Sequence, residues 1–147
     1  FVKKDAPTAE TYHGQPTAYR PFHGFNFGTT GSSRNLSFNE ARFRFTVQDE
    51  CGREEAITPP MSKFISPDKW FHICVTYNPD PKDRGLRIYI NGELIEDKVM
   101  ISMPSDISNN APLKIGKDLT YLNGIIDELK IFNRPLNDNE VKKLSTF

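Results

Sequence analysis

The chain has 147 residues, which suits one domain with a hydrophobic core of its own. Its 19 basic side chains are balanced by 19 acidic ones, so no net field attracts an anionic membrane or nucleic acid, and we exclude nucleic acid as the main partner. No apolar run approaches the roughly 20 residues that span a bilayer, so membrane insertion is not expected.

Residues 5–41 are difficult to assign because Pro and Gly interrupt them repeatedly. Within this region residues 24–28 predict a short strand and the remainder predicts long loops, which serve binding or are disordered when they are this long. A half-buried strand is predicted over 42–47, because its apolar residues alternate with polar ones and so share one face. These apolar residues are Phe43, Phe45 and Val47.

Residues 70–77 alternate in the same way, with Trp70 as an anchor in the core. A polar turn rich in Pro, Asp and Gly follows over 78–85. The next strand ends in Asn91-Gly92, the strongest short hairpin signal, because both residues tolerate positive φ in a type I′ turn, and the return strand is predicted over 93–97. The apolar face of the strand before the hairpin consists of Leu86, Ile88 and Ile90.

The C-terminal part predicts a short strand over 113–116 and a last strand over 125–132. Only the tail has a helical pattern: Asn137 can cap a helix over 138–144, with acids early and lysines late to suit the helix dipole. Eleven Phe, five Tyr and one Trp supply rings for a thin core between two sheets. The chain is therefore predicted to be an all-β, two-sheet antiparallel β-sandwich with a short C-terminal helix.

Four sequence blocks match those of one family in their order and spacing. They are WFHICVTY at 70–77, LRIYINGEL at 86–94, LKIG at 113–116 and LNGIIDELKIFNRPL at 122–136. On these blocks the chain resembles the laminin-G-like, concanavalin A-like lectin/glucanase family, whose fold is a jelly roll. The resemblance implies a single domain over residues 1–147 with that concanavalin A-like architecture.

Residues 1–69 are less similar to this family. Residues 42–47 resemble its preceding strand and residues 1–3 the end of an earlier one, so the family's first strands are missing from this chain. Because the family's first strand usually pairs with its last, residues 125–132 would have an open edge. We hypothesise that the chain is part of a larger polypeptide, or that another domain or chain supplies the missing strand.

Asp127 is the candidate metal ligand. It has the strand parity of Ile125, Leu129 and Ile131, the side taken as core-facing, so its carboxylate needs a partner. The resemblance implies that an Asp here binds a structural Ca²⁺ with backbone carbonyls from the beginning of the chain, and Ca²⁺ takes about six to eight oxygen ligands. The alternative is that Asp127 caps a turn or accepts backbone N–H groups.

Other aspartates lie in loops and are further acidic candidates for a surface metal. Turns favour Asp in any case, so we interpret each of them as a solvated turn residue. They are Asp80, Asp83, Asp106 and Asp118.

The candidate ligand-binding residues are Tyr12, Tyr19 and His23, in the N-terminal loops. Aromatic rings can stack on the C–H faces of sugars, and tyrosine hydroxyls suit a half-wet surface. His23 lies near aromatic and basic residues, which is compatible with contact to a ligand. We expect Phe25 and Phe27 to fill the core instead.

Catalysis by this chain is not expected. Glycoside hydrolases of related folds need two carboxylates roughly 5 to 9.5 Å apart, which on one strand requires acids of equal parity. The pairs Asp49-Glu50 and Glu54-Glu55 are adjacent, so their members point to opposite faces if extended. No nucleophile elbow, phosphate loop or H-E-x-x-H pattern occurs, and His72 is interpreted as structural.

Two cysteines, Cys51 and Cys74, lack the C-x-x-C spacing of a zinc knuckle. A disulfide between them and two separate thiols both stay open, because pairing geometry does not follow from sequence.

A non-catalytic recognition module is the predicted function, with carbohydrate as the favoured ligand by analogy of fold. The alternatives are a structural or adhesive protein–protein module of a cell surface, fibre or virion, and an accessory domain of a carbohydrate-active enzyme. Each of these places the chain outside the cell, on its surface or on a virus particle. An exposed row of rings would favour sugar, and a flat apolar patch would favour a protein partner.

Overall fold

The structure, a computed structural model, describes residues 2–4, 24–30, 40–49, 52–101, 107–110, 112–115 and 124–146. These residues contain eight strands in two sheets, one helix and a 3₁₀ turn at Met61–Lys63. The elements are β1 (Val2–Lys4), β2 (Gly24–Thr30), β3 (Arg42–Asp49), β4 (Gly52–Ile57), β5 (Ile73–Asn78), β6 (Gly85–Ile90), β7 (Glu93–Val99), β8 (Leu113–Ile115) and α1 (Asp138–Leu144).

The larger sheet has the strand order β4-β3-β2-β1-β8, and the smaller has the order β5-β6-β7. Every neighbouring pair is antiparallel. The predicted two-sheet antiparallel arrangement is confirmed for the described residues, and the jelly-roll connectivity stays a prediction.

The core lies between the two sheets, where the alternation of β3 meets that of β6. On β3 the inward residues are Phe43, Phe45 and Val47, and on β6 they are Leu86, Ile88 and Ile90. The ring of Phe27 on β2 stacks on Phe43 with centroids 5.6 Å apart, which confirms Phe27 as a core residue. Each such buried side chain contributes about 1.5–3 kcal/mol relative to its exposed state, so this layer holds the sheets together.

The hairpin between β6 and β7 has the predicted turn. Asn91 lies at φ 51° and Gly92 at φ 81°, the left-handed conformations that a type I′ turn requires. Beyond the turn the register shifts by one residue between Ile88 and Tyr89, as at a β-bulge.

The helix α1 packs on the outer face of the smaller sheet. Asn137 caps it: its side chain accepts the N–H of Glu140, and the Glu140 carboxylate accepts the N–H of Asn137 in return, which is a capping box. Val141 on the helix and Leu136 before it bury the ring of Tyr89, which points away from the main core. The predicted cap and span of this helix are confirmed.

Two expectations about apolar segments are wrong. Residues 125–132 belong to neither sheet, and the chain turns within them because Glu128 lies at φ 52°. Alternating residues predict an extended segment, but a strand also needs a neighbour to pair with. Trp70 is 62% exposed rather than buried, because β5 begins only at Ile73 and the residues before it lie outside the sheet.

Candidate functional site

The sequence-predicted ligand residues Tyr12, Tyr19 and His23 lie outside the described residues. Their role in binding therefore stays a prediction.

Asp127 lies on the surface rather than facing the core. Its carboxylate accepts the backbone N–H of Glu128 at 2.8 Å, which is the alternative role that the sequence left open for it. No three His, Cys, Asp or Glu side chains converge on a possible metal position among the residues that the structure describes. The predicted site combines one carboxylate with backbone carbonyls from the beginning of the chain, so calcium at Asp127 stays a prediction.

A cleft of about 490 Å³ opens beside α1, on the outer face of the smaller sheet. One wall is the turn between β5 and β6, the floor is β6 with β7, and the other wall is the start of α1. The cleft is lined by Asn78, Asp83, Arg87, Leu94, Asp97, Pro135, Leu136, Asn137, Asp138 and Asn139.

Arg87 lines the cleft and binds two of the aspartates that line it. Its Nη2 and Nη1 donate to the two carboxylate oxygens of Asp83 at 2.5 and 3.2 Å, and its Nε donates to Asp97 at 3.2 Å. Asp97 stands directly opposite Arg87 across the β6–β7 ladder. The hydrogen bond from Arg87 lowers the pKa of the Asp83 carboxyl, so that group is ionised at neutral pH.

The turn that carries Asp83 is held by its own hydrogen bonds. Asn78 donates its Nδ2 to Asp83 at 3.2 Å, and its Oδ1 accepts the N–H of Asp80 at 3.1 Å. Asp80 accepts the N–H of Lys82 at 2.9 Å. Asp80 and Asp83 therefore act as turn residues, as predicted, while Asp106 and Asp118 lie outside the described residues.

The α1 side of the cleft combines a polar tether with apolar surface. The hydroxyl of Tyr89 donates to Asp138 at 2.9 Å, and burial, with the neighbouring Asp138, raises the pKa of Tyr89. Leu136 is buried, whereas Leu94 on β7 is 42% exposed and lines the cleft together with Pro135. The cleft thus offers fixed polar groups around an apolar strip.

Burial shifts the pKa values of two groups outside the cleft. Burial, with the charge of Lys130, lowers the pKa of His72, and its buried Nδ1 has no hydrogen-bond partner in the described part of the chain. Cys74 is a free thiol, so of the two alternatives for the cysteines the separate thiol is observed there, while Cys51 lies outside the described residues. Burial raises the pKa of Cys74 to about 11, which keeps it protonated and a poor nucleophile.

Sequence reasoning missed this cleft. The sequence pattern indicates only a solvated turn residue at Asp83 and gives no reason to single out Arg87 or Asp97. The available signal was the hairpin itself, since Asn91-Gly92 brings the outward residues of two strands opposite each other.

Across the described ranges, no helix is long and apolar enough to cross a membrane.

Comparisons with known proteins place the chain in a family. The profile of Laminin_G_3, described as the concanavalin A-like lectin/glucanases superfamily, matches residues 9–142. Botulinum neurotoxin type F of Clostridium botulinum (strain Langeland / NCTC 10281 / Type F) is 28% identical over 120 residues, 77% of this chain and 9% of that protein. Paraclostridial mosquitocidal protein 1 of Paraclostridium bifermentans is 33% identical over 87 residues, 57% of this chain and 7% of that protein.

The chain spans less than a tenth of the length of these relatives. A solved S-layer domain-containing protein of Clostridium thermocellum ATCC 27405 (residues 221-444) superposes with a TM-score of 0.49 at 21% identity, over 97% of this chain and 70% of that one. Because the profile match extends over most of its length, the chain belongs to the concanavalin A-like lectin/glucanase superfamily.

Proposed function

We propose that this chain is a non-catalytic recognition module that binds carbohydrate in the cleft beside α1. The superfamily consists of carbohydrate- or protein-binding modules and includes glucanases. The observation that carries the proposal is the cleft itself: about 490 Å³ lined by Asn, Asp and Arg side chains around Leu94 and Pro135. Its size lies within the range of small-molecule sites, and such sites combine apolar surface with a few fixed polar groups.

The chemistry of the lining suits a sugar. Carboxylates and amides accept or donate to hydroxyl groups, and the hydrogen bonds around Arg87 hold them in place before a ligand arrives. The methyl groups of Leu94 and the ring of Pro135 offer an apolar surface for the C–H face of the same sugar.

The state of Asp83 supports the non-catalytic part of the proposal. A general acid for glycoside hydrolysis needs a raised pKa, whereas the pKa of Asp83 is lowered by Arg87. Asp83 and Asp97 both bind the same guanidinium, which suits a rigid scaffold better than a pair of acid and nucleophile.

Protein binding is the second candidate, and a separate observation favours it. Exposed apolar side chains are concentrated in residues 125–132, and contiguous apolar surface marks protein interaction sites. The accessory role in a carbohydrate-active enzyme remains a variant of the first candidate.

We propose an extracellular, cell-surface or virion-associated location. Support comes from the relatives, whose names describe a neurotoxin and a mosquitocidal protein, and toxins act outside the cell that makes them.

The test of carbohydrate binding is a glycan screen followed by calorimetric titration of the best glycan. Asn139→Ala and Leu94→Ser remove a polar and an apolar group from the lining, and each should weaken binding about tenfold, or about 1.4 kcal/mol. Asn110→Ala is the matched control, because Asn110 is exposed and does not line the cleft. It should leave the affinity unchanged.

The same titration with Tyr12→Ala and Tyr19→Ala locates the site. Binding that is lost in these variants and kept in Asn139→Ala would move the site from the cleft to the residues predicted from sequence. A folded sample that binds no glycan would contradict the carbohydrate proposal and leave protein binding as the function to pursue.

A further inference from the structure

A second cleft, of about 370 Å³, adjoins the cleft beside α1. The two clefts share three lining residues, Asp83, Arg87 and Asp97. Away from these residues, the second cleft is lined by the β5–β6 turn and the end of β7 rather than by the start of α1. Because the shared residues form one hydrogen-bonded group, a ligand longer than a single sugar ring can extend from one cleft into the other.

The two clefts differ in charge. Apart from the shared residues, the charged lining of the cleft beside α1 is the carboxylate of Asp138, whereas that of the second cleft is Lys82 and Arg84. Both shared carboxylates accept hydrogen bonds from the third cation, Arg87. The second cleft therefore sets three cationic side chains against two carboxylates that are already bound, and its charge favours an anionic group.

The charges of Lys82 and Arg84 are available to a ligand. Among the residues that the structure describes, neither side chain has an ion-pair or hydrogen-bond partner. Lys82 is exposed and Arg84 is partly buried. A partly buried guanidinium is screened less by water and presents paired N–H donors to a planar carboxylate or to a sulfate, so Arg84 should contribute more of the binding than Lys82.

The β5–β6 turn holds its backbone in place before a ligand arrives. The N–H of Asp83 donates to the carbonyl of Asp80 at 3.1 Å, and the N–H of Lys82 donates to the Asp80 carboxylate at 2.9 Å. A turn that is already ordered reduces the cost of binding. Val99, which is 69% exposed, lines the same cleft and offers apolar surface to the carbon atoms of a sugar ring.

We propose that the second cleft is a subsite for the acidic residue of an oligosaccharide whose neutral part lies in the cleft beside α1. Lys82 and Arg84 bind the carboxylate or sulfate of that residue, and Val99 contacts its ring. The proposal rests on the proposed carbohydrate binding and adds the ligand class, which is acidic glycans.

The test uses an array of tetrasaccharides of glucose, galactose and mannose. Each is present in a neutral form, in a form oxidised at C6 to the uronate, and in a 6-sulfated form. The best acidic glycan and its neutral counterpart are then titrated calorimetrically with the whole chain at about 0.15 M ionic strength. The acidic form should bind about tenfold more tightly, or about 1.4 kcal/mol. The uronate and sulfate forms show which of the two anions the subsite prefers.

Variants locate the acidic group. Arg84→Gln should weaken binding of the acidic form about tenfold and Lys82→Gln about threefold, because the exposed charge is more strongly screened, and neither should change binding of the neutral form. Lys82→Glu should bind the acidic form more weakly than Lys82→Gln does. Arg84→Lys keeps the charge and should keep most of the preference, which separates loss of charge from loss of structure.

Asn139→Ala separates this proposal from carbohydrate binding itself, because Asn139 lines only the cleft beside α1 and its loss should weaken both forms alike. Lys63→Gln and Lys69→Gln are matched controls at exposed positions that line neither cleft, and should bind like the wild type.

Three outcomes would overturn the subsite. They are equal affinity of the wild type for neutral and acidic forms, a preference that persists in both Lys82→Gln and Arg84→Gln, and a preference lost equally in the controls. If the neutral form still binds and Asn139→Ala still weakens it, the proposed function stands without the subsite. Absence of binding to every form would overturn both.

Discussion

Gly92 shows how one residue joins two elements. It lies at φ 81° in the β6–β7 turn, and a Cβ placed on it would approach the Cα of Lys142 and the Cβ of Ser145 at 3.2 Å. The turn thus requires glycine for its backbone angle, and the end of α1 requires it for space.

Gly92→Ala should therefore lower the free energy of unfolding by about 1–3 kcal/mol, because the substitution adds strain at positive φ and crowds α1. Thermal unfolding followed by circular dichroism measures this as a midpoint lower by about 3–10 °C.

Ser145→Ala gives the control for crowding. In that background part of the loss from Gly92→Ala should return, because the serine Oγ is the nearest atom to the added methyl group. An unchanged midpoint in Gly92→Ala alone would mean that the turn does not hold this angle.

At this scale the candidate site was only partly predictable. The hairpin places outward residues of β6 and β7 opposite each other, but a regular ladder would pair Arg87 with Glu96. The register shift at Ile88 and Tyr89 brings Asp97 there instead. The local sequence does not predict the bulge, so the ion pair between Arg87 and Asp97 follows from the structure alone.

The stability of α1 should depend on pH through the carboxyl group of Glu140 in its first turn. Hydrogen bonds from Arg134 and from the N–H of Asn137 lower the pKa of Glu140 to about 2, against 4.5 for a free glutamate. A depressed pKa stabilises the fold only while the group is ionised, so this contribution is present above about pH 4.5 and is lost as the pH falls towards 2.

The wild type should have a higher free energy of unfolding than Glu140→Gln at neutral pH, and this difference should shrink as the pH falls from about 4.5 towards 2. Gln keeps the capping box without the charge, so the difference between the two chains reports the carboxylate. Urea unfolding at pH 6, 4.5 and 3 measures it. In Arg134→Gln the difference should be smaller and its loss should be complete at a higher pH, because the folded-state pKa of Glu140 then lies closer to 4.5. A difference that does not change with pH would contradict the pairing.

Among the elements, strands were predicted correctly where apolar and polar residues alternate and the segment pairs with another strand. β3 and β6 have clear apolar faces, and both lie inside a sheet. β4 was missed because its inward position holds Glu54, which is buried and accepts the N–H of Ile101 at 2.8 Å. The strand predicted over residues 125–132 is wrong for the opposite reason. The alternating pattern is present there, but no described strand pairs with this segment.

For the whole molecule, the sequence blocks predicted both the superfamily and the arrangement of two packed sheets. This arrangement could be predicted although single strands were assigned wrongly, because it depends on the apolar faces of many strands together. The candidate site did not follow in the same way. Its lining comes from a turn, two strands and a helix start, whose convergence depends on how α1 docks on Tyr89.

The calcium prediction also belongs to the whole molecule, because a bound ion stabilises the entire fold. A site filled at a hundred times its dissociation constant raises the free energy of unfolding by about 2.7 kcal/mol, which moves the midpoint by several degrees. If Ca²⁺ binds at Asp127, calcium should raise the midpoint, a chelator should reverse the rise, and Asp127→Asn should abolish it. No shift in the wild type would remove calcium from this chain.

Cys74 can report on local opening of the structure around α1. The partly buried thiol packs against the cluster of Tyr89, Leu136 and Val141 beside α1, and burial raises the pKa of Cys74 to about 11, which keeps it protonated at neutral pH. Because the side chain is only partly exposed, an alkylating reagent should react faster when α1 lifts and uncovers it. In a Cys51→Ser background, the reaction rate at Cys74 counts those openings and separates the local release of the helix from global unfolding.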